Sequence, residues 1–139
     1  MLTTIDIQRA LSKEKGFRGV FPKSDLPNYL LPKPSSLVIN LDERWKIGSH
    51  WVAIFSPKKG PTYYFDSFGR PPPNEILTLI ERNSKEGWKY NKKKIQGDLS
   101  TICGLYCIKF IKSLPNYNNF IEKFTHCCLK NDYKVSVKL

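Results

Sequence analysis

Five consecutive apolar residues, Trp51-Val52-Ala53-Ile54-Phe55, constrain this chain more than any other stretch. The run has no polar alternation, which is the pattern of a buried central strand. Ser56-Pro57-Lys58-Lys59-Gly60-Pro61 follows with turn chemistry, and Thr62-Tyr63-Tyr64-Phe65 reads as a second strand. The two segments are therefore expected to pair as an antiparallel hairpin. Another strand is read before them, at Leu37-Val38-Ile39-Asn40-Leu41.

Helical patterns surround these strands. Thr3 or Thr4 can cap a first helix, with Ile7, Ala10 and Leu11 at helical spacing and Gly16 as its stop. From Phe21 to Pro34 the prolines at 22, 27, 32 and 34 exclude a helix and predict an extended passage over the surface. After Pro71-Pro72-Pro73, Asn74 is expected to cap a helix with Ile76, Leu77 and Ile80 on one face, ending near Gly87. Lys89 to Gln96 reads as an edge strand, because Lys92, Lys93 and Lys94 would oppose further pairing. Thr101 can cap the next helix, whose stripe is Cys103, Cys107, Phe110, Ile111 and Leu114. A last helix carries Phe120, Ile121, Phe124 and Cys127 or Cys128. The order predicts an α+β fold, a small, mainly antiparallel sheet with helices packed on it. With 139 residues, a single domain spanning 1–139 is expected.

Composition narrows the function. Lys plus Arg exceeds Asp plus Glu by 23 to 12, a formal charge of +11, which suggests a polyanionic partner such as nucleic acid. No apolar run approaches the ~20 residues of a membrane span. No signal peptide is visible at the N-terminus, so a non-secreted protein is expected. Cys103, Cys107, Cys127 and Cys128 all fall late in the chain, two adjacent and two a helical turn apart. A disulfide framework would spread them, so reduced thiols in a reducing compartment are the expectation.

Four residues carry candidate chemistry, and each has a plainer reading beside it. Cys103 is expected in the first turn of a helix, where unsatisfied N–H groups and the helix dipole favour a thiolate. It is also a small residue on an apolar stripe, as Cys107 is one turn on. His50 opens the most apolar strand, where an imidazole can be half buried and still reach a substrate; alternatively it is a loop histidine. Asp66 closes the partner strand before Ser67-Phe68-Gly69. In an antiparallel hairpin this brings it beside His50, where a carboxylate can fix an imidazole tautomer. Its plain reading is a turn aspartate. Gln96 precedes Cys103 by seven residues and can donate to a developing oxyanion beside the Cys103 N–H, or simply be a surface amide. Together these residues make up the base, orienter, oxyanion donor and nucleophile of a cysteine hydrolase.

The segments Gly48-Ser49-His50-Trp51-Val52-Ala53, Tyr64-Phe65-Asp66-Ser67-Phe68-Gly69 and Gln96 to Cys103-Gly104-Leu105-Tyr106-Cys107 resemble the motifs of adenain, the adenovirus maturation protease. Its broader clan includes the ubiquitin-like-protein proteases. The resemblance covers roughly residues 4 to 115 and implies an α+β cysteine-protease fold. It implies Cys103 as nucleophile, His50 as general base, Asp66 as third triad member and Gln96 as oxyanion donor, with Trp51 packed beside the site. It further implies an endopeptidase acting on viral or element-encoded precursors, such as capsid or core proteins, near Gly. No obligatory cofactor is expected, with double-stranded DNA as an activating polyanion. Lys89, Lys92, Lys93, Lys94, Lys109 and Lys112 are the candidate DNA contacts. A monomer in the virion, host nucleus or cytoplasm is expected. Two departures stand out. Adenovirus enzymes tether a peptide activator through a cysteine between the acid and the glutamine, and residues 67–95 contain none. The chain is also much shorter after the catalytic helix, as in a minimal relative from a Polinton-type element or a small double-stranded DNA virus.

Three rival readings remain at this stage. One is a deubiquitinase-like or deSUMOylating isopeptidase with the same chemistry. Another is a non-enzymatic nucleic-acid-binding module, resting on charge alone. The third is a zinc site from Cys103, Cys107, His126, Cys127 and Cys128, whose spacing matches no usual zinc pair; no metal is expected.

Overall fold

The computed structural model describes residues 2–41, 50–97, 102–125 and 129–137. Its elements run α1 (Thr4–Leu11), β1 (Phe17–Pro22), β2 (Ser35–Asn40), β3 (Trp51–Ser56), β4 (Thr62–Phe65), α2 (Asn74–Asn83), β5 (Trp88–Tyr90), α3 (Cys103–Lys112), α4 (Tyr117–Glu122) and α5 (Leu129–Val137). The five strands lie in sequence order, with β3 in the centre.

Every residue of β3 is buried, and alternation explains why the run needs no polar position. Trp51, Ala53 and Phe55 face one core, with Ile7 and Leu11 of α1 and the apolar side of α3. Val52 and Ile54 face a second core with Ile76, Leu79 and Ile80 of α2. Burying a side chain of this size contributes roughly 1.5–3 kcal/mol, so placing β3 in the middle is the favourable arrangement. The β3–β4 hairpin pairs antiparallel as expected, with Ala53 opposite Phe65. His50 and Asp66 therefore flank the same end of the sheet. α3 packs along β3 with its N-terminus at that end. A Cβ at Gly104 would lie 3.1 Å from the Trp51 ring, so the small residue after Cys103 lets strand and helix approach.

The fold class matches the expectation, and several local elements differ. The sheet is mixed: β2–β3 and β3–β4 are antiparallel, while β1–β2 and β4–β5 are parallel. β1 was not anticipated. It is a short half-buried edge with Gly19 at φ +129° and Pro22 at its end, so it shows neither alternation nor a long apolar run. Thr3 caps α1 and forms a capping box with Asp6. At α2, Pro73 rather than Asn74 occupies the cap position, and Leu79 is buried where Leu77 is only half buried. The basic edge strand shrinks to Trp88–Tyr90. Lys92, Lys93 and Lys94 lie beyond it, and Ile95 and Gln96 turn inward instead of continuing the edge. The proposed Thr101 cap lies outside the described residues. α4 is short, and α5 follows as an additional helix. No helix among the described residues is long and apolar enough to cross a membrane.

Gly69 ends the turn that follows β4. Its N–H donates to the Asp66 carbonyl at 2.7 Å, and its φ is +71°. A Cβ there would lie 2.8 Å from the backbone of residues 92–94. Left-handed backbone and a steric block act together, so Gly69→Ala should lower stability by about 1–3 kcal/mol or more. Urea unfolding checks this, and an unchanged midpoint would contradict it.

Candidate active site

The four residues singled out in the sequence occupy one end of the sheet and the start of α3. His50 Nε2 lies 2.9 Å from Asp66 Oδ1. That oxygen also accepts the Phe68 N–H at 2.8 Å. Asn91 clamps the Asp66 backbone from both sides: its Oδ1 accepts the Asp66 N–H at 3.0 Å, and its Nδ2 donates to the Asp66 carbonyl at 2.6 Å. Asp66 is 1% exposed, so its carboxylate is held in a low-dielectric setting with fixed partners. The Phe68 ring lies 4.9 Å from the His50 ring and limits its rotation.

Nε2 of His50 is taken by Asp66, and Cys103 acts electrostatically on the same imidazole, raising its pKa as Asp66 does. Cys103 is the first residue of α3, and the first turn contains no acidic residue to oppose the dipole. The Trp51 N–H donates to Cys103 Sγ at 3.3 Å. This backbone donor stabilises negative sulfur, and it adds to the packing role expected of Trp51. Burial of the His50 ring opposes its protonation. The bond to Asp66 and the influence of Cys103 outweigh that and raise its pKa to about 9. Cys107 behaves as the plain reading has it: it is buried in the core, and burial pushes its thiol well up, with Cys103 and Asp66 adding to the effect.

Gln96 is no surface amide. It is 0% exposed. Its N–H and that of Ile95 donate to the Ser67 carbonyl, each at 2.9 Å, and the Ser67 hydroxyl donates to its Oε1. Gln96 is thereby tied to the residue next to Asp66. Sequence reading assigned no role to Ser67, Asn91 or Phe68. Within Asp66-Ser67-Phe68-Gly69 only the aspartate had chemistry to mark it, and Asn91 sits among lysines with no pattern of its own.

The candidate DNA contacts differ in exposure. Lys89, Lys92 and Lys112 are exposed, and Lys93, Lys94 and Lys109 are half buried. Lys89 Nζ lies 5.6 Å from the centre of the Tyr117 ring, and Lys93 Nζ donates to the Ile121 carbonyl at 3.5 Å, so both engage α4. Among the described residues no group of three or more His, Cys, Asp or Glu side chains is placed to hold a metal. His126, Cys127 and Cys128 lie outside the described residues.

A cysteine at a helix N-terminus, joined through an imidazole to a buried carboxylate on an α+β sheet, is the arrangement of a cysteine-hydrolase site. Known proteins agree in kind. The chain is 39% identical over 84 residues to the putative thiol protease R355 of Acanthamoeba polyphaga mimivirus, covering 53% of this chain and 28% of that protein. It is 27% identical over 138 residues to the protease of fowl adenovirus A serotype 1, covering 82% and 62%. It is 32% identical over 116 residues to the cysteine protease S273R of African swine fever virus, covering 73% and 42%. The crystal structure of the pS273R protease matches in fold, with a TM-score of 0.64 at 22% identity over 96% of this chain and 65% of that one. No protein-family model matches the chain. The chain spans less than two thirds of the length of these relatives. The chain is thus similar to adenovirus proteases and to other viral cysteine proteases, in line with the resemblance of its motifs.

Because His50 is raised from its ordinary 6.5, the contribution of its ion pairing to stability is complete below about 6.5. It is lost as pH climbs through about 9. His50 should therefore remain imidazolium at neutral pH in NMR titration. Asp66→Asn should move its midpoint down by about one unit or more, since the carboxylate is the chief raising influence. A midpoint near 6.5 in the native chain would refute the pairing.

Proposed function

We propose that the chain is a cysteine endopeptidase with Cys103 as nucleophile, His50 as acid and base, Asp66 as orienter and Gln96 as oxyanion donor. The observation that carries this reading is the position of His50 between Asp66 and Cys103, with the Trp51 N–H on the sulfur. The Cys103 thiolate attacks a peptide carbonyl carbon. The oxyanion is held by the Gln96 amide and the Cys103 N–H. The C–N bond breaks as His50 gives its proton to the leaving amine. Water, losing a proton to His50, then attacks the thioester and releases the acid and the thiolate.

The substrates we infer are precursor proteins of a virus or virus-like element, such as capsid or core proteins, cut near Gly. The support is the kinship with viral proteases and the motif resemblance. A monomer acting in the virion, host nucleus or cytoplasm fits that reading. Double-stranded DNA is proposed as an activating polyanion, on the strength of the +11 charge.

Cleavage of a Gly-containing fluorogenic peptide tests the assignment. Cys103→Ala should abolish turnover, and Gln96→Ala should lower it by roughly 10²–10³. A native chain that turns over no peptide but is labelled by a di-Gly-terminated ubiquitin-like probe would instead indicate an isopeptidase. DNA affinity should fall steeply between low and high salt. Binding indifferent to salt would remove the DNA proposal.

A further inference from the structure

The strap of residues 95–97 that carries Gln96 has no helix or strand to hold it. The Ser67 backbone carbonyl and a set of side chains hold it instead, two of those side chains coming from α5. The Gly97 N–H faces the Asp132 carboxylate, 3.2 Å from each oxygen. The same carboxylate accepts the Tyr106 hydroxyl at 2.7 Å. Tyr106 sits on α3, three residues after Cys103, and its hydroxyl also lies 3.4 Å from the Ile95 carbonyl. Asn131, 1% exposed, donates to that carbonyl at 3.1 Å and to the Thr125 carbonyl at 2.7 Å. Val135 anchors α5 in the core shared with α3. On the opposite side, Ser67 takes the N–H groups of Ile95 and Gln96 and fixes Oε1 of the Gln96 amide.

One carboxylate therefore ties the Gln96 strap to the helix that bears the nucleophile. Hydrogen bonds to an ionised acceptor are among the stronger ones, and this one is shared between the two parts whose spacing an oxyanion site must hold. We propose that α5 is a working part of the oxyanion site. Asp132, acting through Gly97 and Tyr106, is a positioning residue that sets where the Gln96 amide lies. Ser67 sets which end of that amide donates. The inference rests on Gln96 being the oxyanion donor.

Two reactions of Cys103 in the full chain separate positioning from general support. Acylation by the p-nitrophenyl ester of N-acetylglycine forms a thioester, expels p-nitrophenolate and passes through a tetrahedral oxyanion. Alkylation by iodoacetamide displaces iodide from a saturated carbon and forms no oxyanion, so it reads only the thiolate and its imidazolium. Asp132→Asn and the ring-preserving Tyr106→Phe should slow acylation by on the order of 10- to 100-fold and leave alkylation unchanged. In a Gln96→Ala background, Asp132→Asn should add no further loss. Equal losses in both reactions would make α5 a general support of α3 and overturn the proposal. So would full acylation by Asp132→Asn while Gln96→Ala is impaired, or additive losses in the double variant. If Gln96→Ala itself acylates at the native rate, the oxyanion assignment beneath the proposal fails instead, and the proposal falls with it.

Discussion

Burial of β3 on both faces is the constraint on which the rest of the structure depends. A strand covered on one side only could carry polar residues at alternate positions, and this one carries none before Ser56 at its end. It therefore needs α3 and α1 on one face and α2 on the other. Once α3 lies along β3, the start of the strand meets the start of the helix. The same contact that fills the core, Trp51 against Gly104, also aims a backbone N–H at the Cys103 sulfur. Core packing and the geometry of the candidate site are one arrangement.

The electrostatics follow from that placement. A buried imidazole on its own would lose its proton, because desolvation disfavours charge. Here a carboxylate on one side and the cysteine on the other reverse the balance. Asp66 can stay buried because its neighbours satisfy it: His50 and Phe68 bond its side chain, and Asn91 its backbone. The site is thus assembled from the ends of β3, β4 and α3 and from irregular segments locked to them, rather than from mobile surface loops.

Much of this was legible in the residues. The apolar run, the hairpin turn and the stripe on α3 each reflect a local rule of spacing, and each appears where expected, except that α3 ends at Lys112 and leaves Leu114 beyond the stripe. The juxtaposition of His50 and Asp66 was legible too, because antiparallel pairing makes the start of one strand adjoin the end of the next. Gln96 was harder, since nothing local distinguishes a buried amide from a surface one. Its burial comes from Ser67, far away in sequence, and from contacts brought in by α5 and α3. The edge strand read through Lys92, Lys93 and Lys94 failed for a related reason. The chain turns inward at Ile95, where tertiary partners outweigh the edge pattern.

The sequence by itself determined the class of fold, the central strand and the identity of the four residues with candidate chemistry, because periodicity and residue type act locally. Only the tertiary structure decided the parallel pairing of β1 and β5, the clamp of Asn91 on Asp66 and the hold of Ser67, Asp132 and Tyr106 on the Gln96 strap. Those are hydrogen bonds between groups distant along the chain, and only the folded backbone brings such groups within 3 Å or so of each other.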